Sequence, residues 1–225
     1  MTTATASQEI KDILNKHAAW LRGEENGECA NLQGMELQNV DLSGVDLRYA
    51  LMVWTNLSGA NLANVNASGA NVSYATLSST NLEGAYLIGT DLSGVGLEFS
   101  NMRYSNLEGA ILGASNLKAT DLTGSHLTGV DLKEANGSFV ILEDADASNS
   151  DMINACFEDA NFRNANLSGS DLRHAKLKDA IIDGTDLRDT KMARSDVTGV
   201  DLAKAIIDDD SSVETEPAQR RSPKP

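Results

Sequence analysis

The chain has 225 residues, enough for one domain with a sizeable core. Its 33 acidic residues against 18 basic ones give a formal charge of −15, which argues against direct binding of nucleic acid or of an anionic membrane, where Lys and Arg must meet phosphates. Hydrophobic residues make up 41% of the chain but aromatic ones only 4%, so the core must be built from small and medium side chains.

In chain order, "MTTATASQEIKD" shows no basic n-region and no apolar h-region, so no signal peptide is expected. Residues 1–6 read as a flexible N-terminus. Residues 7–22, "SQEIKDILNKHAAWLR", predict an amphipathic helix with Ile10, Ile13, Leu14, His17, Ala18 and Leu21 on one face. Ser7 or Thr5 can cap its start. His17 belongs to this helix as part of a lid or of its wet rim, not as a ligand. "GEENGE" at 23–28 is a polar turn that completes a capping segment over 7–29.

From Leu32 onward a large apolar residue recurs every five positions, giving 36 centres that end at Ile207. Leu fills 23 of them, and Met, Phe, Ile or Val fill ten more; the exceptions are Ala67, Gly137 and Ala147. A small side chain stands two places before nearly every centre, and Asn or Asp stands just before it in 23 of 36 units. An α-helix turns about 100° per residue, so centres five apart would spread around it. In a strand an odd spacing throws successive centres to opposite faces. The chain must instead turn once per five residues, with Asn, Asp and Gly supplying the turns. Every centre then points to a common axis.

Units such as "ANLQG", "TNLSG", "TDLSG", "SNLEG" and "SDLRH" are A-(D/N)-L-x-x repeats, and over residues 30–209 the chain resembles the bacterial-type pentapeptide-repeat family. The resemblance implies an all-β solenoid, a right-handed quadrilateral β-helix of about nine four-sided coils, here with an N-terminal α-helical cap. Residues 20 apart then stack, and at a strand spacing of ~4.8 Å the rod is roughly 43 Å long. The helix becomes a lid over Leu32, Leu37, Leu42 and Leu47, covering an end that would otherwise expose apolar side chains and sheet edges. Gly137 leaves a hole in the core that Phe157, one coil on, is expected to fill, with Phe162 beside it as a second core plug. Cys29 and Cys156 lie over six coils apart, about 30 Å, too far for an intrachain disulfide. Residues 210–225 read as a disordered tail. No second lid is visible, so the end near Met192, Val197, Leu202 and Ile207 must be covered either by a second copy, as a homodimer, or by the tail folded back with Val213. Against the dimer stands the approach of Asp208, Asp209 and Asp210 from each copy.

No catalytic constellation, cofactor site or metal site is expected. In the four-per-coil arrangement His126 and His174 lie some 14 Å apart, too far for one metal. No run of 18 apolar residues predicts a membrane span, and two cysteines in no metal-like spacing fit a reduced, cytoplasmic protein. Two surface features stand out. The unit "ALMVW" turns Leu51, Val53 and Trp54 outward, with Tyr74 one coil above Trp54; a covering segment or a protein partner would account for them. On the most acidic side, whose units sum to −5, lie Asp46, Glu108, Asp146, Asp186, Asp189, Asp208 and Asp209. The family resemblance implies a non-enzymatic protein-interaction scaffold, its partner unnamed by the sequence. The alternative is a DNA mimic that binds DNA gyrase or topoisomerase IV and gives quinolone or toxin resistance. Over 30–209 the charge is −13, about half that of a DNA segment of the same length.

Overall fold

The structure, a computed structural model, describes residues 3–208, with side chains from Gln8 onward. Every unit is built alike. In the first, the Met35 N–H donates to the Leu32 carbonyl at 3.1 Å, and Gly34 between them has φ +64°. This is the type II pattern, which demands positive φ at its third residue. One further residue bridges to the next coil, and four turn residues with one bridging residue account for the period of five. Where Asn or Asp stands before the centre it closes the unit: its carbonyl or carboxylate oxygen accepts the N–H two residues on, as Asp41 does from Ser43 at 3.0 Å. Between coils these amides also form ladders, with Asn61 donating to Asp41 and Asn81 donating to Asn61.

All bridges are parallel and join residue i to i+20, from Asn31–Leu51 to Asp186–Ile206. The solenoid therefore has four sides, whose bridging residues begin at Asn31, Glu36, Asp41 and Asp46. The centres from Leu32 to Met192 are buried, and so are the small residues two places before most of them, Ala30, Ala50 and Thr55 among them.

α1 (Thr3–Leu21) is a cap that begins earlier than the predicted residue 7 and takes in part of the stretch read as flexible. Ile10 is buried and Ile13 and Leu14 are partly buried against the first coil. His17 is wholly buried, part of the lid rather than of a wet rim, and its Nδ1 accepts the Ala30 N–H at 3.0 Å. Gly23 (φ +73°) ends the helix in the left-handed region, with its N–H on the Trp20 carbonyl. Gly27 runs against the helix backbone at Trp20, where a Cβ would collide.

Ring atoms of Phe157 lie 2.6 Å from where a Cβ on Gly137 would stand, so Phe157 occupies that hole. Phe162 meets it edge-on at 5.3 Å. Ala67 is different: an apolar cavity of ≈ 20 Å³ remains beside it, lined by Leu47, Leu62, Val72 and Leu87 among others. Ala67→Val is expected to raise stability by up to about 1 kcal/mol, as a melting point a few degrees above the parent's.

The far end departs from the repeat. Around Leu202 the expected unit is replaced by a 3-10 turn, Leu202–Lys204, and no bridge joins Ile181 to residue 201. Among the described residues the chain here has a neighbouring coil on one side only. The Gly184 N–H reaches the Lys204 carbonyl instead, and Lys204 pairs with Asp183 at 3.2 Å. Val197 and Leu202 are partly buried, while Ile206 and Ile207 are exposed. The tail, with Asp209, Asp210 and Val213, lies outside the described residues.

Candidate surface site on the uncharged coils

The third residue of each turn sits at a corner and points outward. Small or polar residues fill most corners, but Tyr49, Trp54, Tyr74, Phe99, Tyr104 and Phe139 hold six of them at φ between +57° and +64°. A side chain in this region costs roughly 1–2 kcal/mol relative to glycine. All six are exposed. Every corner from Gly34 to Gly199 takes this conformation, so what sets the six apart is their exposed rings.

Each corner side chain leans toward the next coil. Tyr49, Tyr74 and Tyr104 lay their rings over Gly69, Gly94 and Gly124, whose Cβ positions fall 2.7–2.8 Å from ring carbons. At one corner the pattern extends: Trp54 stacks on Tyr74 at 4.8 Å and 14°, and Tyr74 stacks on Gly94. Trp54 is 66% exposed, Tyr74 52% and Leu51 40%, with Val53 half-buried. The lid does not cover them. Its aromatic contact is at another corner, where Trp20 meets Tyr49 edge-on at 6.4 Å.

These residues share a wider setting. Between Arg48 and Glu83 there is no charged residue at all, although charged residues make up 23% of the chain. Nearly two successive coils therefore form an uncharged belt with Tyr49, Leu51, Trp54 and Tyr74 on its surface, and Tyr86 and Ile88 exposed just beyond it. The charge gap was readable in the sequence. The role of Tyr49, Phe99, Tyr104 and Phe139 was not, because each is the one aromatic of its unit and sequence alone does not say that this place is a left-handed corner whose side chain leans along the rod.

The i to i+20 register puts Asp46, Glu108, Asp146, Asp186, Asp189 and Asp208 on one side; Asp209 lies outside the described residues. They do not form a continuous acidic ridge. Asp46 and Asp186 are each clamped by the guanidinium two residues on, Arg48 at 2.8 Å and Arg188 at 2.5 Å. Those hydrogen bonds hold both carboxyls below their usual range. Asp146 accepts from Ser148 and Asn166, and Asp208 accepts the Asp189 N–H. From Asp46 to Glu108 the side carries no acidic residue across about three coils, roughly 14 Å. DNA places a charge every ≈ 1.7 Å.

His126 and His174 are exposed on different sides. Among the described residues no group of His, Cys, Asp and Glu could hold a metal ion, and no helix is long and apolar enough to cross a membrane.

The sequence matches the family model described as pentapeptide repeats, in eight overlapping copies that together span residues 28–209. None of the curated proteins compared matches it. Among solved structures, HetL, a pentapeptide-repeat protein involved in heterocyst differentiation regulation from the cyanobacterium Nostoc sp. strain PCC 7120, is 28% identical, with 86% of this chain and 96% of that one covered and a TM-score of 0.47. A trypsin-treated QnrB1, a plasmid-mediated fluoroquinolone resistance protein, is 19% identical over 79% of this chain and 92% of its own, with a TM-score of 0.67. A second trypsin-treated QnrB1 structure is 21% identical over 78% and 90%, with a TM-score of 0.57. At such identity the likeness to QnrB1 carries the fold alone. The repeat spans most of the sequence and the i to i+20 ladder runs nearly its whole length, so the chain belongs to the pentapeptide-repeat family, as a right-handed quadrilateral β-helix.

Proposed function

We propose that this protein is a non-enzymatic interaction scaffold whose contact surface is the uncharged belt of residues 49–82, centred on Leu51, Val53, Trp54 and Tyr74. The observation that carries this reading is the stacked, exposed Trp54–Tyr74 pair on a 49–82 stretch without a single charge. Tryptophan and tyrosine anchor interfaces because they bury much area at little entropic cost. Trp54→Ser is expected to leave the melting point within about a degree of the parent's, since an exposed change away from the core costs little. The same change should abolish capture of the partner from the native cell, whereas Phe139→Ser, a change at a distant corner, should not. A large fall in melting point with Trp54→Ser would mean that the residue serves the fold instead.

The DNA-mimic reading, with gyrase or topoisomerase IV as partner, draws on the overall acidity and is weakened by the Arg48 and Arg188 clamps and the long acid-free stretch. Inhibition or quinolone protection in a gyrase supercoiling assay at micromolar protein would favour it over the belt.

We extend the proposal to the open end. Two copies meeting at Ile206, Ile207 and the partly buried Val197 and Leu202 would cover apolar surface that the last coil leaves exposed. Light scattering is expected to give a dimer mass that rises with salt, because salt screens the opposed aspartates. A monomer mass at high protein concentration in both low and high salt would remove the dimer.

A further inference from the structure

We propose that the corner made by Gly34, Glu36 and Trp54 binds the guanidinium of an arginine side chain on the partner polypeptide. The inference rests on the reading of the belt as a contact surface and names the chemistry that surface selects.

One face of the Trp54 indole is covered by Tyr74. The other faces the preceding coil, where the stacked residue is Gly34. Among the described residues nothing lies within 4 Å of the place a Cβ would take there. The aromatic ladder thus ends in an empty position one coil high. Coils are about 4.8 Å apart, and a flat group stacked on a ring needs most of that height. A planar group on Trp54 would sit level with Gly34 and continue the stack.

Charge selects which planar group. Glu36 stands two residues beyond Gly34 and bridges to Asn56, which is two residues beyond Trp54. Its carboxylate is oriented by its neighbours: Oε2 accepts from Asn56 at 2.9 Å and from Gln38 at 2.5 Å. Among the described residues no Lys, Arg or His pairs with Glu36, in contrast to Asp46 and Asp186 on the acidic side. By this register an exposed carboxylate stands two residues along the chain from Gly34, the position beneath the open indole face. The face attracts cations through its ring quadrupole, and Glu36 Oε1, the oxygen left by Asn56 and Gln38, can accept a guanidinium N–H in a charge-assisted hydrogen bond. Arginine fits better than lysine because it is flat, stacks on aromatic faces and presents a fork of donors. The formal charge of −15 draws a basic segment toward the rod in the first place.

The test uses the full chain and acetyl-arginine-amide as probe, with acetyl-citrulline-amide as its uncharged isostere. The chain has two tryptophans, so the indole N–H signal of Trp54 in a ¹H–¹⁵N spectrum is assigned by its persistence in Trp20→Phe. The Trp54 signal is expected to shift saturably with the arginine probe over a millimolar range, and at least fivefold more weakly with citrulline. Glu36→Gln should weaken the arginine probe at least threefold and leave citrulline unchanged. Gly34→Asn, which keeps the left-handed corner but fills the slot, should weaken both. Equal binding of the two probes, or no shift with either, would overturn the proposal. If the arginine probe fails while Trp54→Ser still abolishes capture, the belt stands and the arginine assignment falls.

Discussion

Gly137→Leu is expected to destabilise the rod by about 1–3 kcal/mol, and Phe157→Ala by about 3–5 kcal/mol. Leucine is the commonest centre, so a repeat-based argument would predict that installing it at position 137 repairs a defect. The geometry predicts the opposite. Two ring carbons of Phe157 already lie 2.6 Å from the site of the new Cβ, and Val140 Cγ1 is 3.3 Å away. Phe157 is wholly buried and its ring is wedged against Phe162, so it has no free volume into which to swing. Removing Phe157 alone opens a cavity between coils. The double change Gly137→Leu with Phe157→Leu restores ordinary centres at both levels and should recover most of the loss. That non-additivity is the signature of two residues sharing one space. Chemical or thermal melts of the parent, Gly137→Leu, Phe157→Leu and the double variant test it, and a Gly137→Leu protein more stable than its parent would refute the pairing.

His17→Ala is expected to cost about 1–3 kcal/mol, because the buried Ala30 N–H loses its acceptor at the joint between lid and first coil. With Nδ1 accepting, the neutral ring carries its proton on Nε2, which is buried without a hydrogen-bond partner among the described residues. Burial pushes the His17 pKa below its ordinary value; the smaller influences of Asp46, which raises it, and Arg48, which lowers it, oppose each other. The folded state therefore binds fewer protons than the unfolded chain below about pH 6.5. The stability tied to neutral His17 is fully present above that pH and is lost as pH falls through the folded value. The loss is at most about 1.4 kcal/mol per pH unit. Between pH 7.5 and 5.5 the parent should lose melting temperature while His17→Ala changes much less. The lowered aspartates act only in stronger acid, below their ordinary range. Parallel falls in the two proteins would show that another group is responsible.

The core was legible because a period of five admits one arrangement, and a single slip in phase would have turned every later leucine outward. Gly137 and Phe157 were legible as a pair once residues 20 apart were known to stack. The helix face was readable from its spacing, but not the bond from Ala30 to His17, which depends on how the chain returns beneath the helix through Gly23 and Gly27. "VDLAKAIIDD" continues the repeat in letters but not in shape at Leu202, where among the described residues a unit has a neighbouring coil on one side only. At the surface, Leu51, Val53, Trp54 and Tyr74 were found from hydrophobicity alone. That Trp54 stacks on Tyr74 and leaves its opposite face open over Gly34 follows from the lean of corner side chains along the rod, which no periodicity encodes.

The central claim is that the uncharged belt is where this rod meets another protein. Site-specific photocrosslinking in the native cell tests it most directly, with a photoreactive phenylalanine analogue at position 54, 74, 139 or 159. The account predicts one discrete crosslinked partner at 54 and 74 and none at 139 or 159. Crosslinks absent at 54 and 74, or equal at all four positions, would contradict it.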